Sequence, residues 1–81
     1  MRRYAVVVEH IGANYSAYVP DLPGCVATGE SVEETFANMR DVIALHLRGL
    51  REDGLPVPDP SSTTTYIELA QYPTSIIGHL L

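Results

Sequence analysis

The chain has 81 residues, about half of the ~150-residue prior for one domain, so a two-domain reading of these residues is excluded. Five arginines, no lysine and ten carboxylates give a net charge of −5, which repels phosphate and lacks the basic stripe that nucleic-acid binding requires. At 46% hydrophobic and 19% charged the chain is too apolar for intrinsic disorder, and the single Cys25 excludes an internal disulfide framework and fits a reducing, cytoplasmic setting.

Arg2 and Arg3 resemble the start of a secretion signal, but the apolar run behind them stops at Glu9 and has no small-residue cleavage site. The apolar end, Ile76-Ile77-Gly78-His79-Leu80-Leu81, is far shorter than the ~20 residues that span a bilayer, so no membrane segment is expected.

Tyr4-Ala5-Val6-Val7-Val8 is aromatic, small and β-branched, and predicts a first strand within Arg3 to His10, covered on both faces and therefore central. Ile11-Gly12-Ala13-Asn14 supplies turn chemistry. Tyr15-Ser16-Ala17-Tyr18-Val19 follows as a second strand with Tyr15, Ala17 and Val19 on one face, so a β-hairpin is the natural product. Pro20 to Gly24 reads as a rigid loop, because Pro20 cannot donate to a ladder and Pro23-Gly24 punctuates again. Cys25 to Thr28 gives a short third strand that ends at Gly29.

Ser31-Val32-Glu33-Glu34 is a capping box, in which the Ser31 hydroxyl accepts from the Glu34 amide and the Glu34 side chain returns to the Ser31 amide. Val32, Phe36, Met39, Ile43, Leu47 and Leu50 recur at spacings of three and four, predicting one long helix whose apolar stripe covers the sheet. Asp53-Gly54-Leu55 ends it, with Gly54 left-handed in a Schellman stop. Glu33 and Glu34 at one end, and Arg48 and Arg51 at the other, complement the helix dipole at roughly 0.3–1 kcal/mol each.

The alternating prolines of Pro56-Val57-Pro58-Asp59-Pro60 predict a stiff, extended connector back to the sheet. Thr63 to Leu69 is β-rich and supplies a fourth strand, with Thr65, Ile67 and Leu69 facing one way. The expected fold is α+β, in the order β-β-β-α-β: a three- to four-stranded antiparallel sheet with one long helix packed on one face. The opposite face is left bare. Residues 1–70 form the domain, and 71–81 an apolar tail that packs on the domain or at an oligomer interface.

Tyr15-Ser16-Ala17-Tyr18-Val19-Pro20-Asp21-Leu22-Pro23-Gly24-Cys25 leads to Gly29-Glu30-Ser31 and Glu33-Glu34, which open a helix. That helix closes on Leu50-Arg51-Glu52-Asp53-Gly54 and runs into alternating prolines. This multi-part pattern, over about residues 4 to 69, resembles the HicB-like antitoxins. The resemblance implies a partial ribonuclease H-like fold and a non-enzymatic antitoxin of a type II toxin–antitoxin system. Such a protein neutralises a small HicA-like RNA-cleaving toxin by protein–protein contact. Longer members of the family continue into a ribbon-helix-helix or helix-turn-helix segment that represses their own operon. The eleven residues after Ala70 have no room for either motif, so autorepression is not expected of this chain.

An inhibitor of this kind places acidic and apolar surface where the toxin holds phosphate, and a charge of −5 suits that task as well as plain solubility. The proline-stiffened loop offers the partner-binding candidates Tyr18, Asp21, Leu22 and Pro23: its backbone is preorganised, and Leu22 is expected to stand out as an apolar knob beside a charge. The same loop also reads as a strand connector. Ile76, Ile77 and Leu80 are the oligomer-contact candidates, and a homodimer or tetramer is expected, because a chain this short has a thin core.

A weak metal-dependent nuclease of ribonuclease H ancestry and an orphan oligomeric scaffold are the alternatives. The first would need Glu9, Asp41 and Glu68 to converge on divalent metals, but Glu9 sits beside a turn and Asp41 lies close to the core positions Met39 and Ile43. His10, His46 and His79 are too scattered for a zinc site, and Cys25 lacks a basic neighbour that would make it a nucleophile. No phosphate-binding glycine loop occurs. No catalytic residue, metal or cofactor is therefore expected.

Overall fold

Gly12 and Ala13 are the two residues on which the first hairpin turns in the computed structural model, which describes residues 2–71. Gly12 has φ +57° while Ala13 keeps a negative φ, the pattern of a type II′ turn, whose twist matches that of the strands it joins. Those strands are β1 (Val7–Ile11) and β2 (Asn14–Tyr18), paired antiparallel with Val8 opposite Ala17. β3 (Val26–Gly29) pairs antiparallel on the far side of β2, with Ala17 opposite Ala27 and Tyr18 opposite Val26. The sheet order is β1-β2-β3. Because side chains alternate along a strand, Val8, Ala17 and Ala27 share one face, and Val7, Tyr18 and Val26 the other.

The helix α1 (Val32–Glu52) follows the capping prediction closely. The Glu34 N–H donates to the Ser31 Oγ at 3.0 Å, while the returning Glu34 carboxylate accepts from the Glu30 N–H at 3.1 Å, one residue earlier than the standard box. At the other end the Leu55 N–H reaches the Leu50 carbonyl at 2.8 Å and the Gly54 N–H reaches that of Arg51 at 3.1 Å. With Gly54 at φ +69°, this is the expected Schellman stop.

The helix lies over β2 and β3 and closes a small core of Ala17, Val19, Leu22, Cys25, Ala27 and Met39. Full burial of Leu22 or Met39 contributes roughly 1.5–3 kcal/mol each. Tyr4, Val6, Val8, Val42, Ile43 and Leu47 pack around it. Thr35 is also fully buried, its hydroxyl donating to the Ser31 carbonyl at 2.7 Å. The buried line of the helix therefore begins at Thr35 and Met39, a step round from the expected Val32–Phe36 start. Phe36 is left 45% exposed, on the flank that faces β1.

Two expectations change. β1 is an edge strand and not a central one: its Val6–Val8 side is bordered by open clefts, and its outer edge pairs with no strand among the described residues. Residues 63–69 form no ladder, so among the described residues the sheet has three strands, the lower of the two numbers expected. The proline connector and the anchoring of Ser61 and Ser62 described below bring this segment past β1 with a cleft between them.

Candidate partner interface

The loop after β2 is built from two consecutive turns. The Leu22 N–H donates to the Val19 carbonyl and the Cys25 N–H to the Leu22 carbonyl, both at 3.1 Å. These bonds roll the loop back over the core and drive the Leu22 side chain inward, where it has no exposed surface. Leu22 is thus not the protruding knob expected of it but one of the largest buried side chains of the domain. Pro23 and Gly24 take the exposed outer corner, with Gly24 at φ +92°.

Asp21 faces the connector instead of solvent. Its Oδ2 accepts from the Ser61 and Ser62 N–H groups at 2.8 and 2.9 Å, and its Oδ1 from their hydroxyls at 2.9 and 2.8 Å. Four donors, the Ser62 N–H foremost, hold this carboxyl far below the usual carboxylate range. Charge-assisted bonds of this kind fix geometry well. The Tyr4 hydroxyl donates to the Pro58 carbonyl at 2.6 Å, and Arg2 bridges to Asp59 at 2.7 Å, so the connector is held at two points along its length. The exposed Arg2–Asp59 pair adds little stability by itself.

Tyr18, like Pro23, is an expected contact residue that the fold leaves in the open. It sits 44% exposed in the middle of the row Val7–Tyr18–Val26 on the face away from the helix, with Ile11 exposed on the same face. Glu9 and Ser16 form the next facing pair of that surface. The strands' described residues place no basic side chain there. An aromatic anchor with apolar flanks and an acidic neighbour is a composition suited to binding another protein. Of the four expected contacts, then, Tyr18 and Pro23 lie on the surface, Asp21 is engaged by the serines and Leu22 is interior. The open-face row was missed at the sequence level, although the alternation of Tyr18 against Ala17 and Val19 carried the signal.

Glu9 and Asp41 lie on opposite sides of the sheet, since Glu9 alternates with the helix-facing Val8 while α1 covers the other face. Among the described residues no group of three or more His, Cys, Asp or Glu side chains could hold a metal ion. Cys25 is buried, and desolvation pushes its thiol up from the ordinary value. His10 stacks on Tyr15 with ring centroids 4.7 Å apart. No described helix is long and apolar enough to cross a membrane. Ile76, Ile77 and Leu80 lie outside the described residues, as does His79.

Among known proteins, the chain is 30% identical over 91% of its length to a 14.9 kDa protein of the rep–hol intergenic region of Haemophilus phage HP1, of which it spans 56%. It is 38% identical over 79% of its length to a UPF0150 protein of Helicobacter pylori, covering 90% of that protein. No solved structure matches significantly. Residues 4–79 match the family described as HicB-like antitoxin of bacterial toxin–antitoxin systems. That match takes in the hairpin, the loop with Asp21 and Leu22, the helix and the connector, and on it the chain belongs to the HicB-like antitoxin family.

Proposed function

We propose that this chain is the antitoxin of a type II pair, neutralising a small HicA-like RNA-cleaving toxin by protein–protein contact in the cytoplasm and catalysing no reaction itself. The observation that carries the reading is the open sheet face: the row Val7–Tyr18–Val26, in which Tyr18 and Val26 are exposed and Val7 half-buried, with Glu9 beside it, in a member of an antitoxin family. A surface that cleaves RNA must attract phosphate, so a partner carrying −5 is electrostatically matched to it. Tyr18 supplies the aromatic anchor, and the exposed Pro23 is a second contact candidate on the loop that follows.

Co-expression of the full chain with a tagged small basic protein encoded beside it tests this. The account expects the two to purify together in fixed stoichiometry and the RNA cleavage of the tagged protein to be suppressed. Separate elution of the two, or undiminished cleavage in the complex, would overturn it.

A further inference from the structure

The sheet face away from the helix carries two rows of different chemistry. Two residues along each strand from Val7–Tyr18–Val26, the register sets Glu9, Ser16 and Thr28 side by side across β1, β2 and β3. Neighbouring strands lie about 4.8 Å apart, and residues two apart on one strand about 7 Å, so a line of one carboxylate and two hydroxyls runs next to the apolar row. Glu9 and Thr28 are exposed and Ser16 is half-buried.

Glu9 is the one carboxylate that the three strands place on this face. Carboxylates with a structural task in this fold are visibly engaged: Glu34 caps the helix, Asp59 meets Arg2, and Asp21 takes four bonds from Ser61 and Ser62. Glu9 has no cationic partner among the described residues, where the ion pair is Arg2–Asp59. Glutamate is also disfavoured in strands, so nothing in local propensity accounts for its place in the middle of β1.

The chemistry that fits this row is a guanidinium. A carboxylate accepts two parallel N–H bonds from one edge of its plane, and the Ser16 hydroxyl, one strand over, accepts a further N–H. Tyr18 lies diagonally from Glu9 at about 7–8 Å, within reach of a long side chain, so its ring can take the flat face or the apolar stem of the same residue. An ammonium is a point charge and would use the carboxylate alone. A protein that holds RNA presents such cations to phosphate.

We infer that Glu9, Ser16 and Tyr18 form the seat for one arginine of the toxin, an arginine that otherwise holds an RNA phosphate, and that the Glu9 carboxylate takes the place of that phosphate. The inference rests on the antitoxin reading above and adds to it which residue supplies the charge and what it meets. Tyr18 anchors by contact area, whereas Glu9 sets which cation is captured.

The test is calorimetric titration of the small basic neighbour protein with the full chain and its Glu9→Gln variant. It is repeated with each arginine of the neighbour replaced in turn by alanine. Glu9→Gln should bind about 30-fold more weakly or worse with its helical circular dichroism retained. In one arginine variant that loss should vanish, and the same variant should hold RNA less tightly. Nitrogen-15 NMR of the arginine-labelled neighbour should show one Nε–H shifted in the complex with the parent chain and not with Glu9→Gln. Equal affinity of the parent and Glu9→Gln would overturn the inference while leaving the antitoxin reading in place, since a carboxylate kept only for solubility behaves that way. A loss that no arginine variant removes, coupling to a lysine instead, or a coupled arginine without effect on RNA binding would also overturn it. Failure of the parent chain to bind at all would overturn both.

Discussion

Gly29→Ala probes the tightest approach in the fold, where β3 hands over to the first turn of α1. A Cβ at this position would lie 2.6 Å from the Thr35 Oγ1, 2.7 Å from the Thr35 N and 3.0 Å from the Thr35 Cα. The Thr35 hydroxyl cannot swing aside freely, since the side chain is fully buried and bonded to the Ser31 carbonyl. The backbone nitrogen can move only if the helix lifts from the sheet. Backbone strain is not the issue, because Gly29 does not have a positive φ; in open space, replacing glycine by alanine would stabilise the chain by about 0.4–1 kcal/mol. Overpacking costs about 1–3 kcal/mol, and for a domain of this size each kcal/mol moves the melting temperature by about 4–8 °C. Gly29→Ala should therefore melt about 8–16 °C lower for a ~2 kcal/mol loss, and its urea midpoint should fall by about 1 M. Gly49→Ala is the control: nothing lies within 4 Å of its added Cβ, and in a helix interior it should stabilise by about 0.5–1 kcal/mol. The assay is thermal and urea unfolding followed by far-ultraviolet circular dichroism. A Gly29→Ala protein as stable as the parent would refute the packing described for this corner, and equal shifts in the two variants would refute its specificity.

Leu22→Ala should cost about 2–5 kcal/mol by leaving a cavity in the core, read in the same unfolding assay; a loss within about 0.5 kcal/mol would show the side chain to be peripheral. Tyr18→Ala should leave stability within about 0.5 kcal/mol while weakening toxin binding about 30-fold or more in calorimetric titration, the mark of an interface anchor; unchanged affinity would remove the open face from the interface. Asp21→Ala should speed proteolysis within residues 56–62 by releasing the serines, with the helical signal retained. Because the folded carboxyl is depressed, its stabilisation is complete above the unfolded value of about 4 and is lost as pH falls through the folded value, so cleavage should run alike at pH 7 and pH 5 when corrected for the protease's own pH dependence. Faster cleavage of the parent protein already at pH 5 would contradict this.

The local signals that proved legible were those written in short, self-contained spacings. Ser31 to Glu34 and Asp53-Gly54-Leu55 set the helix ends, and the Gly12-Ala13 pair set the hairpin, because each motif satisfies its own backbone groups. The misread residues depend on what comes from elsewhere in the chain. Leu22 sits among prolines and a glycine, which reads as surface, yet two turn bonds fold it inward. β1 looked central because its valines suit burial on both faces, while the helix in fact covers β2 and β3. The helix stripe was read a step early for the same reason, so Thr35 was overlooked and Phe36 was assigned to the core. The segment from Thr63 to Leu69 has the composition of a strand, and composition cannot say whether a ladder partner lies within reach. Tyr18 was marked by its position next to the loop, whereas its partners Val7 and Val26 became visible only once the strand register was known.

The account stands most directly on inhibition by contact. Purified chain should be titrated into a fixed amount of the neighbouring toxin while cleavage of a labelled RNA is followed, with Tyr18→Ala protein in parallel. The account predicts that cleavage falls to background once the toxin is saturated, and that the variant needs about 30-fold more protein to reach the same inhibition when the toxin is kept well below the dissociation constant. Cleavage that continues unchanged in excess chain would contradict the antitoxin reading, and equal inhibition by both proteins would contradict the interface.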